Sequence, residues 1–297
     1  MKKSITRTKY KKREIRRAYA ILVPFYLWFF IFIVIPLMGG FAFSFVEWNG
    51  LTASPTFVGL KNFKTFFTSS DYLVLLGRQF RLGGLCLTVN VILSFLVALI
   101  LNIPFKGRGI FRSIFYIPAI SSVATTSAVF VAITNPFDGG LNKFLKLVGQ
   151  TPITWTYSAF WMTFWIVVYF VWRSIGPAAV IWLGGLQGIS PGLYEAAKID
   201  GANKVQEVRY ITIPLLRPVA TFIILTGIIN VMQMYDIIML ISRGGPVGKT
   251  DVLMYRIFRD GIQSFNMGMG GASSVILGLV IMTLSVLYLK FFGKGEE

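Results

Sequence analysis

The sequence contains no histidine and only one cysteine, Cys86. Without histidine, the usual zinc sites and histidine-based acid–base catalysis are excluded. A single thiol cannot form a disulfide within the chain. Because Cys86 lies within an apolar run, we interpret it as a small packing residue. Paired acidic residues are also scarce in the apolar runs, so the sequence gives little support to a membrane enzyme.

Charged residues are few as well, at 14% of 297 residues, whereas soluble domains have about a quarter. Hydrophobic residues make up 55% of the chain and fall in long runs. A run of about 18 or more apolar residues indicates a transmembrane helix, and lipid offers the backbone no other way to satisfy its hydrogen bonds. We therefore predict an all-α integral membrane protein with six spans, at about residues 18–45, 82–103, 111–133, 157–184, 218–242 and 270–292. The first run is too long for a signal peptide, whose apolar region has roughly 7–15 residues, so we predict a retained span.

The positive charge is unevenly distributed. The net charge is +17, and nine of the 29 lysines and arginines lie in residues 1–17, beside the first apolar run. Such a flank is typical of the cytoplasmic side, and no basic stretch carries the interleaved aromatics of a nucleic-acid site. The short connection 104–112 contains three basic residues and no acid. We therefore predict that both termini and the connections 104–112 and 185–217 are cytoplasmic.

This topology divides the chain into four parts. They are a basic cytoplasmic tail at 1–17, a first span with an external segment at 18–81, a core at 82–292 and a cytoplasmic terminus at 293–297. In the external segment, apolar residues between Val58 and Phe67 recur at helical spacing. This pattern predicts either a helix on the outer membrane face or a helix packed against the other spans.

The longest inside connection, 185–217, has a distinct local pattern. Ser190 is a candidate helix cap before Pro191, and Gly201 permits a sharp bend. Asn203 can begin a second short helix, which we expect to end before Pro214. The pattern therefore predicts two short helices joined by a kink and standing off the membrane.

The first of these helices has features suited to a partner. Glu195 lies in its first turn, where the helix dipole favours a negative charge that can also pair with a cation. The small residues Ala196 and Ala197 follow and allow close approach.

This stretch resembles the cytoplasmic "EAA" loop of permeases in binding-protein-dependent ABC importers. The family pattern is Glu-Ala-Ala, three residues, Gly, nine residues, Ile, one residue and Leu-Pro. The matching positions are Glu195, Ala196, Ala197, Gly201, Ile211, Ile213 and Pro214. The one departure is Ile213 in place of Leu, a change that nearly conserves volume. In the family this loop docks on the ATP-hydrolysing subunit, so the resemblance implies that role for Glu195, Ala196, Ala197, Gly201, Ile211 and Pro214.

Shorter matches extend the resemblance to the carbohydrate branch of the family. They include Tyr19–Pro24, Ile35-Pro36, Gly59-Leu60, Asn62-Phe63, Phe111-Arg112, Pro118, Leu186-Gln187, Leu193–Ala202, Tyr235-Asp236, Gly244–Pro246 and Thr250. The resemblance implies the type I ABC importer permease fold, with its core at 82–292, in a prokaryotic cytoplasmic membrane.

The resemblance also implies partners. They are a second, non-identical permease, two copies of an ATP-binding subunit, an extracellular solute-binding protein and a sugar or oligosaccharide. We expect ATP and Mg²⁺ to be used by the ATP-binding subunit, with no cofactor bound by this chain.

The segment Arg243–Thr250 nearly matches the sequence pattern of a phosphate-binding loop. However, Arg243 stands where that pattern requires glycine, no strand precedes it and the predicted topology places it outside.

Polar residues within the apolar runs are candidates for the solute pathway. A charge at a helix centre costs about 2.5–3.5 kcal/mol on insertion scales, so it usually faces the protein interior or a water-filled path. Arg173 and Asp236 lie in apolar runs, and Asn230, Gln233 and Tyr235 lie near Asp236. On one continuous helix, Asn230 and Gln233 share a face. Amide, carboxylate and aromatic groups suit a sugar. The alternative is a structural role, as an ion pair or as charges at span ends.

Two other functions remain open. A secondary transporter or channel without an ATPase would explain the spans but not the Glu-Ala-Ala loop, and the sequence shows no clear repeat of the kind such transporters contain. An ABC permease for a non-sugar solute would explain both.

Overall fold

The computed structural model describes residues 2–52 and 54–293 and is mainly helical. The chain begins with α1 (Lys2–Phe29), which continues through a π-helical turn at Phe30–Val34 into α2 (Ile35–Phe43). The apolar part of this stretch is Glu14–Phe43, and none of the residues in its most hydrophobic 18-residue segment is buried. Only its end packs closely, since a Cβ on Gly271 would lie 2.9 Å from the carbonyl oxygen of Gly40. This agrees with the predicted first span.

The external segment forms a small hairpin and a helix. Strand β1 (Val46–Glu47) pairs antiparallel with β2 (Thr56–Phe57), and α3 (Lys61–Thr68) follows. Asn62 of α3 is buried, and its Nδ2 donates to the carbonyl oxygens of Ser44 at 3.0 Å and Val46 at 2.9 Å. Phe66 is also buried and lies 5.2 Å from the Tyr72 ring. Of the two predicted alternatives, the structure therefore favours a helix packed against the other elements.

The helix of the second span begins earlier than predicted. Helix α4 runs from Ser70 to Asn102, whereas the prediction began at residue 82 because Arg78 and Arg81 interrupt the apolar run. Tertiary contacts stabilise this polar first part. Gln79 is fully buried, and its Nε2 donates to the carbonyl oxygen of Val231 at 2.7 Å.

The third predicted span, 111–133, is not one helix. It consists of α5 (Arg108–Ile120) and α6 (Val123–Ile133), which meet at an angle of 97°. The residues between them, Ser121 and Ser122, have extended ψ angles of 148° and 130°. Serine side chains compete with the backbone for hydrogen bonds, which favours a helix break at this pair. Helix α7 (Gly140–Leu147) follows.

Helix α8 (Ala159–Gln187) is the central element and is unbroken despite Arg173 and Pro177. It packs along α4 and α5. At Gly176 a Cβ would overlap the carbonyl group of Phe115, so only glycine allows this approach. Trp182 is buried and its Nε1 donates to the Ser94 hydroxyl at 3.1 Å.

The 185–217 connection contains two helical arms. Helix α9 (Pro191–Ile199) forms the first. The second consists of α10 (Lys204–Glu207), a π-helical turn at Val208–Thr212 and α11 (Ile213–Leu215). The prediction that the second arm ends before Pro214 is therefore wrong. The wider π turn relieves the clash that a proline ring makes with a regular preceding turn.

The fifth predicted span, 218–242, is also interrupted. Helix α12 (Arg217–Met232) follows the second arm at an angle of 69° and ends at Met232. A separate π-helical turn follows at Ile238–Ser242. The chain then forms α13 (Leu253–Phe258), a further π turn at Arg259–Gln263 and α14 (Met267–Phe292), close to the predicted sixth span.

The described residues contain four helical stretches long and apolar enough to cross a membrane, or up to six if each bent pair forms one span. The two bent pairs are those of the third and fifth predicted spans. The fold class predicted from the sequence is confirmed, with the qualification that these two spans are broken.

Candidate functional site

The kink between the two arms of the 185–217 loop is built on Gly201. Its φ is +81°, which L side chains rarely adopt, and a Cβ there would have nothing within 4 Å. The need for glycine is therefore conformational and not steric. The amide of Gly201 donates to the carbonyl of Lys198 at 3.1 Å, and the amide of Ala202 donates to that of Ala197 at 2.9 Å. This pair of hydrogen bonds is a Schellman motif, which terminates α9.

The second arm begins with a capping box. The Asn203 side chain accepts from the Gln206 amide at 2.9 Å, and the Gln206 side chain accepts from the Asn203 amide at 2.8 Å. This confirms the predicted role of Asn203. Helix α9 begins at Pro191 as predicted, but the Ser190 side chain makes no capping hydrogen bond. The placement of Glu195 in the first turn is wrong, because Glu195 is the fifth residue of α9 and lies past that turn.

The residues of the Glu-Ala-Ala pattern fall into two groups. Glu195, Ala196 and Gly201 are exposed on the kinked arm, and Ala197 is half-buried. Ile211 and Pro214 are half-buried in the second arm, which leads to α12. Two apolar side chains beside the kink are also exposed, Ile199 at 87% and Val205 at 74%. Together, Glu195, Ala196, Ile199, Gly201 and Val205 form what we call the elbow surface.

One side-chain contact joins the two arms, and two further contacts stabilise the second arm. The Tyr194 hydroxyl of α9 lies 3.0 Å from the Thr212 hydroxyl, and Thr212 is 2% exposed. Thr212 Oγ1 in turn donates to the carbonyl oxygen of Glu207 at 3.3 Å. Glu207 is buried, and its carboxylate pairs with Lys204 Nζ at 2.8 Å. The first arm is therefore connected to the turn that leads to α12.

A polar cavity lies at the opposite end of α12. It has a volume of about 530 Å³ and contains all five residues predicted for a solute pathway. Its walls are formed by Ala119, Phe170, Arg173, Ser174, Asn230, Gln233, Met234, Tyr235, Asp236 and Ile237. The structure thus brings Arg173 of α8 to the same cavity as the polar residues of the fifth span, which no spacing in the sequence indicates.

The break in the fifth span places these polar groups. Helix α12 ends as the Gln233 amide donates to the Ile229 carbonyl at 3.1 Å, and the chain becomes helical again at Asp236, just before the π-helical turn at Ile238–Ser242. Asn230 and Gln233 are both exposed and line the cavity together, as their shared helical face predicts, but the helix does not continue from Gln233 to Asp236. Non-helical backbone at membrane depth is tolerated where it lines a cavity, and this arrangement is typical of transporter binding sites.

Arg173 contacts the break in the third span. Its Nη1 donates to the carbonyl oxygen of Ser121 at 3.0 Å and to Thr126 Oγ1 at 3.2 Å. No ion pair in the described residues includes Arg173 or Asp236, so the two do not form the structural pair that was the alternative to a pathway role. Asp236 Oδ1 instead accepts from the Ile237 amide at 2.9 Å.

Tyr169 lies one turn before Arg173 and is fully buried. Its hydroxyl accepts from Ser127 Oγ at 2.9 Å, donates to the Val123 carbonyl at 3.2 Å and lies 2.7 Å from Thr126 Oγ1. Sequence analysis missed Tyr169, although Ser121-Ser122 within an apolar run was a signal for the break that it contacts. Together with Arg173, Tyr169 fixes α8 to the break and to the start of α6.

Tyr235 connects the cavity wall to α13. Its ring stacks on Phe258 of α13 with centroids 5.4 Å apart and an interplanar angle of 28°. Ser174, which the sequence analysis also missed, donates from Oγ to Asn90 Oδ1 at 3.1 Å. The cavity therefore combines amide, carboxylate, guanidinium and aromatic groups held by packed neighbours.

Comparisons with known proteins give one consistent assignment. Residues 90–293 match the model of a family described as binding-protein-dependent transport system inner membrane component. The chain is 32% identical over 287 residues to the arabinooligosaccharides transport system permease protein AraP of Halalkalibacterium halodurans, covering 94% of this chain and 89% of that protein. It is 29% identical over 286 residues to the trehalose/maltose transport system permease protein MalF of Thermococcus litoralis, covering 95% and 96%.

The fold is also similar to a solved structure. A chain of a bacterial ABC transporter involved in the import of the acidic polysaccharide alginate superposes with a TM-score of 0.86. The sequence identity is 23%, and the match covers 98% of this chain and 100% of the other. This similarity independently supports the helical arrangement described above.

Proposed function

Because this chain belongs to the family of binding-protein-dependent transport system inner membrane components, we propose that it forms part of the translocation pathway for a sugar or oligosaccharide and couples that pathway to ATP hydrolysis by a separate subunit. The observation that carries the proposal is the location of two sites at the two ends of α12. The elbow surface lies beyond its first residue, and the polar cavity lies at its last.

The cavity suits a neutral, hydroxyl-rich solute. Asn230 and Gln233 offer amide donors and acceptors, Asp236 offers a carboxylate and Tyr235 offers an aromatic ring. Arabinooligosaccharides and trehalose or maltose are the solutes named for two relatives of this chain. The proposed substrate class rests on this combination of site chemistry and similarity.

The elbow surface suits a protein partner. It combines an exposed acid at Glu195, a small residue at Ala196 and two exposed apolar side chains at Ile199 and Val205. We propose that the ATP-hydrolysing subunit docks here and that the Schellman stop at Gly201 keeps the two arms at a fixed angle. Docking motion would then pass through the contact between Tyr194 and Thr212 to the second arm.

Helix α12 is the mechanical link in this proposal. Its 16 residues correspond to about 24 Å at 1.5 Å per residue. A displacement of its first turn would move the break at Gln233 as a rigid body, which changes the shape of the cavity. Packed helices respond to such displacement by shifting between discrete arrangements.

The proposal includes further partners and a location. A second, non-identical permease would complete the pathway, and an extracellular solute-binding protein would deliver the solute. Two copies of the ATP-binding subunit would use ATP and Mg²⁺, so this chain would be a non-catalytic subunit. The location is the prokaryotic cytoplasmic membrane, with the loop 185–217 inside.

Reconstitution of the chain with its partner subunits in proteoliposomes tests this function. We expect uptake of a labelled oligosaccharide that requires ATP inside the vesicle facing the ATP-binding subunit and requires the solute-binding protein outside. Uptake that proceeds at the same rate without ATP would favour a secondary transporter or channel. ATP-dependent uptake of an amino acid but of no sugar would retain the permease and reject the substrate class.

A further inference from the structure

A long apolar groove runs along the face of α8 opposite to the polar cavity. Its volume is about 990 Å³, and it lies between α4 and α8. Leu85 and Leu93 of α4 and Phe160, Phe164 and Trp172 of α8 line it with side chains that are between 40% and 70% exposed. These residues belong to neither the elbow surface nor the cavity, so the proposed function does not account for them.

Three cations lie at one end of this groove. They are Arg78 and Arg81, one turn apart on α4, and Lys249 of the segment before α13. Arg78 Nη1 donates to the carbonyl of Gly248, which brings the neighbouring Lys249 to the start of α4. None of the three takes part in an ion pair among the described residues. The groove therefore has a concentrated positive charge at one end and apolar walls along the rest.

Beyond the cations, the apolar part of the groove along α4 is about as long as one leaflet is thick, and only Val74 of α4 lines the groove on the other side of Arg78. From Arg81 to Leu93 the α4 backbone advances about 18 Å, at 1.5 Å per residue, and half of the hydrocarbon core is about 15 Å thick. No residue of α4 after Leu93 lines the groove, although the helix continues to Asn102. A transmembrane helix from another subunit would cross the full thickness, whereas an acyl chain ends near the bilayer centre.

We propose that this groove binds a phospholipid with an anionic headgroup. The phosphate, whose negative charge no choline or amine cancels, lies among Arg78, Arg81 and Lys249, and an acyl chain lies along Leu85 and Leu93 toward Trp172. In the topology predicted from the basic residues, the cations lie on the outer side, so the lipid belongs to the outer leaflet. The charge complementarity selects an anionic lipid over a zwitterionic one because each basic residue near an acidic lipid contributes about a fivefold increase in binding.

Native mass spectrometry of the assembled transporter tests this site. The complex is purified from vesicles of equimolar phosphatidylglycerol and phosphatidylcholine, and the retained phospholipid is identified. We expect retained phosphatidylglycerol in the wild type. In the double variant Arg81→Gln, Lys249→Gln, its preference over phosphatidylcholine should fall by about 25-fold, the product of two fivefold contributions. Arg78 is left unchanged because it also bonds to Gly248.

A matched control changes the same number of charges elsewhere. Lys143→Gln, Lys146→Gln removes two lysines of α7, neither of which lines the groove, and should leave the lipid preference unchanged. A further variant, Val89→Trp, fills the groove and keeps the cations, so it should displace the lipid while the complex still assembles. Equal retention of the two lipids by the wild type, or unchanged preference in the double variant, would overturn the proposal. So would a photo-cross-linking residue at position 89 that reacts with another membrane subunit and not with phospholipid.

Discussion

The hydroxyl groups of Tyr194 and Thr212 lie 3.0 Å apart and join the two arms of the 185–217 loop. Tyr194 lies on α9 next to Glu195, and Thr212 is buried in the turn that precedes α11 and α12. In the proposed function this contact passes the movement of a docked subunit to the fifth span.

Tyr194→Phe removes this hydrogen bond and keeps the ring. A net hydrogen bond contributes about 1 kcal/mol, so we expect the ATP-hydrolysing subunit to remain bound while solute uptake per ATP hydrolysed falls severalfold. The ratio is measured in proteoliposomes. Tyr210→Phe is the matched control because Tyr210 is 68% exposed, and it should resemble the wild type. Equal ratios of uptake to ATP hydrolysis in the two variants would show that this contact does not take part in coupling.

The polar cavity yields a second prediction. Gln233→Ala and Asp236→Asn remove a donor–acceptor pair and a charge from the cavity wall. Hydrogen bonds to charged groups contribute about 1.5–3 kcal/mol, so Asp236→Asn should weaken solute transport by about tenfold or more, and Gln233→Ala by less. Both complexes should keep their ATPase. Kinetics of labelled sugar uptake provide the measurement, with Gln150→Ala in an exposed turn as the control. Wild-type kinetics in both cavity variants would assign these residues a structural role.

The break in the third span should depend on Tyr169. Tyr169→Phe deletes the hydroxyl that contacts Thr126, Ser127 and Val123. Leaving a buried polar group unsatisfied costs about 1–3 kcal/mol, so we expect a lower unfolding temperature for the purified complex. Thermal unfolding followed by intrinsic fluorescence measures the change, and Tyr157→Phe, at a 65% exposed position, should leave the temperature unchanged. A loss of the same size in both variants would show that the hydroxyl contacts do not hold the break.

Orientation in the membrane is testable with cysteine labelling. In a Cys86→Ala background, a cysteine at Lys204 should resist a membrane-impermeant thiol reagent added to intact cells, whereas one at Lys146 should react. The basic residues of 1–17 and 104–112 are the basis for this expectation. Reaction at Lys204 would reverse the predicted topology and separate the elbow surface from any cytoplasmic partner.

Sequence reasoning located the elements that depend on local chemistry. Gly201 has the positive φ expected at a kink, and Asn203 forms the expected capping box, because both depend on a few neighbouring residues. The four long apolar stretches were likewise visible as runs, although the start of α4 was not, since Gln79 and Arg78 are stabilised by distant partners.

What the sequence did not predict depends on tertiary contacts. The breaks after Ile120 and after Met232 interrupt apolar runs that hydropathy alone joins into single spans. The first break is held by Arg173 and Tyr169 from α8, which lie about 50 residues away in the chain. The sequence analysis selected the cavity residues because they are polar residues in apolar runs. In the structure they share a cavity because the breaks in the third and fifth spans both lie beside α8.

The central claim is that the elbow surface couples this chain to ATP hydrolysis, and uptake by position-201 variants tests it most directly. Because Gly201 has open space around it but a φ of +81°, Gly201→Val should distort the kink, whereas Gly201→Asn should be tolerated since asparagine adopts positive φ more readily. Both variants should insert in the membrane. The account predicts that Gly201→Val abolishes ATP-driven sugar uptake, that Glu195→Lys does the same by reversing a charge on the elbow surface, and that Gly201→Asn retains most of it. Wild-type uptake by membrane-inserted Gly201→Val and Glu195→Lys complexes would contradict the account.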